Sequence, residues 1–402
     1  MIAIFGIFIV WDFPIGSKDC GIIEFEMKSL EQHFREKTYM DWEVPKTLSL
    51  RELELAYQPY SLHLNSSQWL EIFQHRKNIT QIEQYLHAQI LNGYTDISYQ
   101  AISHHVHCPR RYPLCNPSDK LIWKVSDKNL VSENKILLSS LPKVYYPTLI
   151  LPHGYQLIDI DIHTAHLSIL AMISGDEQLQ NDVMGDIHLL VGKHLYPHFG
   201  PRMQRKIGKA LNKVLPSGGS AHTIQNELFL LSKECSPSES SVLCIDITRA
   251  KSIYDWFWDC YPLAKQYRLW FFEHVKELRE NGDKFRVDWD RRRLFEFNNY
   301  RLQGKVGVQD YEYDVYGVYF EKQHVLRSCF SAVLRGYERA MMDRIMLALS
   351  DLEDIHCFCP MYDGALLVVP NDTDLIMLQK IIDAELSCWS NLIRIKTKQI
   401  FV

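Results

Sequence analysis

Apolar residues recur at helical spacing along most of the chain and alternate with polar residues in a few short segments. The helical spacing predicts helices at 66–91, from about 164 to 173, from 186, at 202–215, at 250–280 and at 327–349. The alternating pattern predicts a strand at 156–162 and a hairpin at 355–369. In the Tyr-rich segment at 308–320 it predicts either a hairpin or a pair of edge strands. This order favours an α+β core with a helical domain inserted in its middle.

Composition narrows the class of protein only in part. A hydrophobic content of 47% with 23% charged residues is ordinary for a globular chain of 402 residues with a large core. Lys and Arg number 44 against 49 Asp and Glu, so the net charge is −5 and any nucleic-acid surface must be a local concentration of cations. The ten cysteines form no dense framework, which favours reduced thiols in a cytoplasmic compartment. The apolar N-terminal stretch lacks a basic leader and is too short to span a bilayer, so we expect a buried strand there and no membrane partner.

Acidic residues occur in or beside two of the predicted strands. Asp159 and Asp161 share one face of the strand at 156–162, and Asp363 lies at the turn of the hairpin at 355–369. Aspartates on adjacent strand tips are a common ligand set for two Mg²⁺ ions that catalyse phosphoryl transfer. The alternative is that Asp161 caps the following helix and that Asp363 occupies an ordinary hairpin turn with Gly364.

The helix predicted at 202–215 carries a stripe of positive charge. Arg202, Arg205, Lys209 and Lys213 recur at steps of three and four, so they share one face of the helix. Arg and Lys on such a face suit phosphate groups, although a solvent-facing basic surface gives the same pattern. The position of this helix between the two acidic segments favours phosphate binding.

Together these segments resemble family A DNA polymerases, the DNA polymerase I superfamily. That family's motif A reads approximately D-Y-S-Q-I-E-L-R-x-x-A-x-x-S-x-D, and the segment at 161–176 reads DIHTAHLSILAMISGD. Motif B, R-x-x-x-K-x-x-x-F-x-x-x-Y-G, aligns with Arg205, Lys209, Lys213, Ser217 and Gly218, and motif C, V-H-D-E, aligns with MYDG at 361–364. The family's A-P-x-G-Y, D-I-H, Y-P and G-R-R-L segments have counterparts in LPHGY at 151–155, DIH at 186–188, YP at 261–262 and RRRL at 291–294. The blocks occur in the family's order from about residue 147 to the C-terminus.

The resemblance implies a right-hand polymerase fold, in which an antiparallel palm sheet carries an inserted helical fingers domain. It implies an N-terminal accessory or thumb-like region at 1–147, the palm at 148–200 and 326–402, and the fingers at 201–325. Such an enzyme serves DNA replication or DNA repair. Its partners would be primer–template DNA and dNTPs.

The resemblance also implies a role for individual residues. Asp161, Asp363 and the carbonyl of Ile162 would bind two Mg²⁺ ions, or Mn²⁺ in their place. Lys209 would protonate the leaving pyrophosphate, and the incoming triphosphate would contact Arg205, Lys209 and His188. The primer–template would contact Arg327, Arg335, Ser331, Tyr362 and Arg292.

Several positions depart from the family's pattern. His166 replaces the Glu of motif A, and Lys213 and Ser217 replace the Phe and Tyr of motif B. In the family, that Glu and the aromatic residues crowd the 2′ position of the sugar, so we expect weak rejection of ribonucleotides. Lys213 would either add a phosphate contact or face solvent. Gly364 replaces the Glu of motif C, and Tyr362 replaces its His at the primer end.

Residues 1–147 resemble the family least. They lack the three acidic motifs of a 3′–5′ proofreading nuclease, so we expect no proofreading. His104, His107, Cys108 and Cys115 are zinc-ligand types, but their spacing matches no standard site, so both a zinc site and a metal-free loop stay open.

Two other functions are compatible with the sequence. A primase-like or RNA-synthesising polymerase would also lack the motif A Glu, because single-subunit phage-type RNA polymerases lack it. Those enzymes keep the motif B Tyr, however, which is Ser217 here. An inactive scaffold that binds nucleic acid is the other alternative, although drift would not be expected to spare Asp161, Asp363, Arg205 and Lys209 together.

Overall fold

The strands form one central sheet and several smaller ones. The computed structural model describes residues 52, 55–99, 101–104, 111–115, 122–126, 129–133, 136–280, 301–306, 309–314, 322–387 and 389–400, which all belong to one compact unit, Val44–Val402. In chain order the strands are β1 (Leu62–Leu64), β2 (Asp96–Ile97), β3 (Ala101–His104), β4 (Arg111–Leu114), β5 (Ile122–Ser126), β6 (Asn129–Glu133), β7 (Leu149–Ile150), β8 (Tyr155–Ile162), β9 (Arg301–Val306), β10 (Gln309–Asp314), β11 (His356–Pro360), β12 (Gly364–Pro370) and β13 (Ile395–Ile400).

Helices fill most of the remaining described chain. They are α1 (Ser66–Gln74), α2 (Gln81–Leu91), α3 (Ala165–Ser174), α4 (Glu177–Met184), α5 (Ile187–Leu195), α6 (Pro201–Val214), α7 (Ala221–Ser232), α8 (Pro237–Leu243), α9 (Ile247–Cys260), α10 (Pro262–Glu280), α11 (Lys322–Ser350) and α12 (Leu375–Ser387). Among the described residues, no helix is both long enough and apolar enough to cross a membrane.

The central sheet has the strand order β11–β12–β8–β13 and is antiparallel throughout. Leu157, Ile158 and Ile160 are fully buried, so β8 is covered on both faces over most of its length. The pairing register places Gly364 of β12 and Lys396 of β13 opposite Asp161, one on each side. The register therefore brings segments from three distant parts of the sequence to one end of the sheet.

Helices α3 and α11 pack against each other. Helix α3 begins directly after β8, where Thr164 adopts the left-handed conformation (φ 49°), and it ends at Gly175, which is also left-handed (φ 69°). The long helix α11 packs on α3, α10 and α12. Its buried side chains include Phe330 and Tyr337, so it forms part of the protein core.

Helices α5 and α6 approach each other so closely that their backbones touch. A Cβ atom at Gly192 would overlap the backbone of Gln204, and one at Gly208 would overlap the carbonyl of His188. Only glycine fits at such crossings. The close packing brings the start of α5 next to the basic face of α6.

The N-terminal part that the structure describes shares a core with the central sheet. Strands β2, β1 and β7 form a small antiparallel sheet, and Trp69 of α1 stacks on Tyr145 with ring centroids 3.8 Å apart. The same hydrophobic cluster includes Phe358 of β11 and Val368 of β12. The predicted buried strand at the N-terminus lies outside the described residues.

The structure corrects three of the predicted elements and adds helices that were not predicted. The helix expected at 66–91 is two helices, because Thr80 and Glu83 form a capping box that starts α2. The helix expected at 250–280 divides at Tyr261, before the proline that begins α10. Helix α4 was not predicted, and the hairpin expected at 308–320 begins earlier, with β9 at Arg301–Val306 paired to β10.

Candidate active site

Asp161 and Asp363 lie at neighbouring strand tips. Asp161 is the second-last residue of β8, and Asp363 immediately precedes β12. The backbone N–H of Ile162 donates a 2.6 Å hydrogen bond to the carbonyl oxygen of Asp363. A Cβ at Gly364 would overlap the carbonyl oxygen of Ile160, so the close strand pairing leaves no room for a side chain where motif C has Glu.

Like charges crowd the side chain of Asp161. It is accessible to solvent, yet desolvation by the surrounding protein, followed by the negative charges of Asp363 and Asp159, raises its pKa to about 7. The positive charges of Lys209 and Lys143 oppose this rise. Helix α3 has Thr164 as its N-cap, so Asp161 does not cap it and that half of the alternative is wrong. Asp363 does lie in the turn between β11 and β12, next to Gly364. A carboxylate destabilised in this way favours the binding of a cation.

Asp159 is a buried, paired acid. Its exposed fraction is 8%, and its Oδ2 lies 2.8 Å from Nζ of Lys143. Asp159 is therefore neutralised by Lys143 and not open to solvent. Lys143 was not identified from the sequence because it lies in a short 3₁₀ helix, Lys143–Thr148, with no periodic pattern.

The basic stripe of α6 faces the start of α5. Nε of Arg205 donates a 2.7 Å hydrogen bond to Oδ2 of Asp186, whose Oδ1 accepts from the N–H of Leu189 and caps α5. Lys209 is exposed, and its charge lowers the pKa of Asp161. Helix α6 therefore places one cation beside the acidic pair and another in contact with the cap of α5.

His188 is held as a neutral imidazole. Burial, followed by the charge of Arg205, lowers its pKa to about 4. Nδ2 of Asn212 donates to Nδ1 of His188 at 3.0 Å. A neutral ring that accepts at Nδ1 carries its proton on Nε2, which is then a hydrogen-bond donor.

Strand β13 adds cations that sequence reasoning missed. Lys396 lies opposite Asp161, and desolvation and the charge of Arg205 lower its pKa. Arg394 donates to the carbonyl oxygens of Val183 and Met184, at 3.1 and 2.6 Å. The alternating sequence IRIKTKQI at 393–400 was the signal that predicts both a strand and one cationic face.

His166 contacts two elements at once. Its Nδ1 lies 3.0 Å from Oγ of Ser217, just beyond α6, and its Nε2 lies 3.6 Å from Oε2 of Glu338 on α11. Glu338 is almost fully buried, at 2% exposure. The two positions that replace motif A Glu and motif B Tyr therefore bond to each other, and a carboxylate reaches the site from a helix outside both motifs.

The other predicted site residues are less closely associated with the acidic pair. Tyr362 is half-buried beside Asp363, Arg335 is half-buried on α11, and Ser331 is buried on the same helix. Lys213 is exposed, with Nζ 4.0 Å from Oε1 of Glu227. Arg327 belongs to α11, and Arg292 lies outside the described residues.

The suggested zinc ligands gain no support from the structure. Cys115 is buried, and desolvation raises the pKa of its thiol to about 12, which disfavours a thiolate. His104 is the last residue of β3, whereas His107 and Cys108 lie outside the described residues. Within the described ranges, no group of three or more His, Cys, Asp or Glu residues could hold a metal ion.

Comparison with known proteins yields a structural match only. No protein-family model matches the chain, and no curated protein matches it. Among solved structures, the fold is similar to the POL domain of Pol1 from M. smegmatis, in complex with DNA primer-template and dNTP, with a TM-score of 0.51 and 13% identity. The match covers 95% of this chain and 66% of that one, so this chain spans just under two thirds of its length. The protein therefore has an α+β, polymerase-like fold.

Proposed function

We propose that the protein is a template-directed DNA polymerase of family A that extends a primer 3′ end with dNTPs by two-metal-ion phosphoryl transfer, without proofreading. The observation that carries this proposal is the pairing of Asp161 and Asp363 at adjacent strand tips, within reach of the charge of Lys209. The polymerase-like fold supports it. The palm would comprise 148–200 and 326–402, the fingers 201–325, and the accessory region 1–147.

The acidic pair fits divalent cations with oxygen ligands. Desolvation, followed by repulsion from Asp363 and Asp159, raises the pKa of Asp161, and bound Mg²⁺ or Mn²⁺ would relieve that repulsion. The carbonyl of Ile162 would add a third oxygen ligand, and substrate phosphates and water would complete the coordination. Such ions, when bound, activate the attacking hydroxyl and stabilise the leaving oxygen.

The cations near α6 would bind the incoming triphosphate. Arg205 would exchange the carboxylate of Asp186 for phosphate, which its planar guanidinium binds through two parallel hydrogen bonds. His188 would donate from Nε2, and Lys209 would protonate the leaving pyrophosphate. Lys213, exposed on the same face, would add a contact. Movement of α6 on binding would test the shape of the base pair.

Primer–template contacts are assigned to Arg327, Arg335, Ser331, Tyr362 and Arg292. Tyr362 is next to Asp363, and its hydroxyl suits a contact with the primer end. Arg335 and Ser331 lie on α11 near Glu338, which contacts His166.

Primer extension with dNTPs and Mg²⁺ on a primed DNA template tests the function. We expect Asp363→Ala to lower the rate at least ~1000-fold, because one carboxylate cannot hold both ions. Asp351→Ala, which removes an exposed acid at the end of α11, is the matched control and should extend normally. Extension that survives in Asp363→Ala would contradict the proposed site. A wild-type protein that binds primed DNA but never extends it would favour the scaffold alternative.

Weak sugar selectivity is the second part of the proposal. The hydrogen bond between His166 and Ser217 replaces an acid and an aromatic ring, so less bulk would oppose a 2′-hydroxyl. We expect ribonucleotides to be incorporated within ~100-fold of the rate of matched dNTPs, since loss of a steric contact costs only ~1–3 kcal/mol. Ser217→Tyr should restore discrimination, and steep discrimination by the wild type would contradict the expectation.

The RNA-synthesising or primase-like alternative shares the lack of the motif A Glu, which is His166 here, although Ser217 does not fit it. Extension assays with rNTPs, on DNA and RNA templates, with and without a primer, separate these possibilities. An enzyme that prefers rNTPs, or that starts without a primer, would support the alternative.

A further inference from the structure

The strand β13 presents a row of basic side chains that the proposed site does not use. Lys396 and Lys398 are exposed, whereas Ile395 is buried and Thr397 between them is half-buried, so both lysine side chains lie on one exposed face of the strand. Lys396 is paired with Asp161 and Lys398 with Asp159 across the same two strands. Side chains of paired residues in an antiparallel sheet lie on the same face, so Lys396 and Asp161 face the same side.

Charged groups from several elements surround Lys396. Arg205 of α6 and Arg394 act on it as like charges, and Asp186 and Asp161 act as opposite ones. His163, directly after β8, also senses its charge. Within the described part of the chain, Lys396 has no ion-pair partner, unlike Arg205.

Asp186 is an acid between two cations. It accepts a hydrogen bond from Arg205, and its negative charge also acts on Lys396. The pKa values of His188 and His163 are both lowered, so neither ring is counted as a positive charge. The one carboxylate of Asp186 is therefore shared by Arg205 and Lys396. The region is therefore complementary to a ligand that carries several negative charges, and it adjoins the acidic pair that would bind Mg²⁺.

We propose that Lys396 forms a second wall of the polyphosphate site, across from Arg205 and Lys209, and binds the triphosphate of the incoming nucleotide. This assignment rests on the proposed function, because the triphosphate reaches the site as part of a dNTP. The edge strand then supplies a phosphate-binding residue from outside the three polymerase motifs. Lys398, two residues further along the same strand, pairs with Asp159 instead of Asp161.

Calorimetric titration of the full chain with inorganic triphosphate, in low salt, tests this assignment without requiring catalysis. We expect Lys396→Gln to raise the dissociation constant for triphosphate ~3- to 10-fold, because a charge-assisted contact is lost. The effect is modest because solvent partly screens a contact at an exposed position. Lys396→Arg should retain most of the affinity. Lys398→Gln, with the same charge change on the same strand face, should bind as the wild type does. Thermal melting should show that every variant is folded, since both lysines are exposed.

A parallel titration with primed duplex DNA, in the absence of nucleotide, distinguishes triphosphate from backbone phosphate. Equal triphosphate binding by Lys396→Gln and the wild type would overturn the assignment. The assignment would also be overturned if Lys396→Gln and Lys398→Gln lost affinity for triphosphate equally, or if Lys396→Gln lost affinity only for duplex DNA. It would be overturned as well if the wild type did not bind triphosphate. Primer extension by the wild type is scored separately. If Lys396→Gln binds triphosphate more weakly than Lys398→Gln but the wild type extends no primer, the assignment of Lys396 stands and the proposed polymerase function is refuted. If the wild type extends a primer but the two variants bind triphosphate equally well, the polymerase function stands and the assignment of Lys396 is refuted.

Discussion

Glu83 and Asp161 are both acids packed closely by other groups, but the protein stabilises the negative charge of Glu83 and destabilises that of Asp161. Glu83 is fully buried, and its oxygens accept hydrogen bonds from Arg76, Tyr145 and Thr80. Although desolvation alone would raise its pKa, these bonds lower it to about 2. Asp161 is more exposed, yet its pKa rises to about 7, because desolvation and the nearby charges of Asp363 and Asp159 act together.

The difference separates an acid whose charge the protein satisfies from one whose charge it leaves destabilised. The protein supplies every partner that Glu83 needs, so its charge stabilises the packing of α2 against the segment that carries Tyr145. At Asp161 the like charges raise the free energy of the ionised form, and a divalent cation would lower it. Burial alone does not distinguish the two residues. They differ because Glu83 is surrounded by hydrogen-bond donors, whereas Asp161 is surrounded mainly by other negative charges.

The largest effect on stability is expected for Glu83→Gln. The amide of Gln keeps only one acceptor oxygen, and its NH₂ group replaces the other. In this buried site that NH₂ group would face the hydrogen-bond donors of Arg76 or Thr80, so donors would be left without an acceptor. We expect the free energy of unfolding to fall by ~2–4 kcal/mol, as buried networks do when a charged member is lost. Urea denaturation measures it, with Glu71→Gln on the exposed side of α1 as control. Equal stability of the two variants would contradict a structural role for Glu83.

The two acids also predict opposite pH dependences for the metal-free protein. The folded pKa of Glu83 lies below its ordinary value of 4.5, so its contribution is present above pH 4.5 and is lost as pH falls toward 2. The folded pKa of Asp161 lies above its ordinary value of 3.8, so its contribution is present below pH 3.8 and is lost as pH rises through 7. Asp161→Asn should therefore flatten the fall in stability between pH 4 and 7, modestly because solvent screens the group. A decline unchanged in Asp161→Asn would show that other groups cause it.

The parts of this comparison that could be predicted from the sequence are those with a short-range pattern. The strand at Asp161, the hairpin at Asp363 and the basic helix all have periods that a window of about ten residues reveals. The capping box of Thr80 and Glu83 was also readable and marks the break between α1 and α2.

The remaining contacts join residues far apart in the sequence. Three such pairings depend on how the strands and helices pack: Lys143 with Asp159, Glu338 with His166, and Lys396 with Asp161. One sequence contains no signal for such pairings. It reveals which residues carry charge, whereas the sheet register and helix packing decide which charges meet.

The smallest effect concerns Asp186, which is an acid that pairs with a cation of the site itself. Asp186→Asn keeps the N-cap of α5, because Asn caps as well as Asp, but it removes the negative charge that holds Arg205. We expect affinity for inorganic triphosphate to rise ~2- to 5-fold, since the exposed ion pair with Arg205 contributes at most about 1 kcal/mol. Asp246→Asn makes the same change at the N-cap of α9 and should leave the affinity unaltered. Weaker triphosphate binding in Asp186→Asn would show that Asp186 positions Arg205 for the ligand and does not compete with the ligand for it.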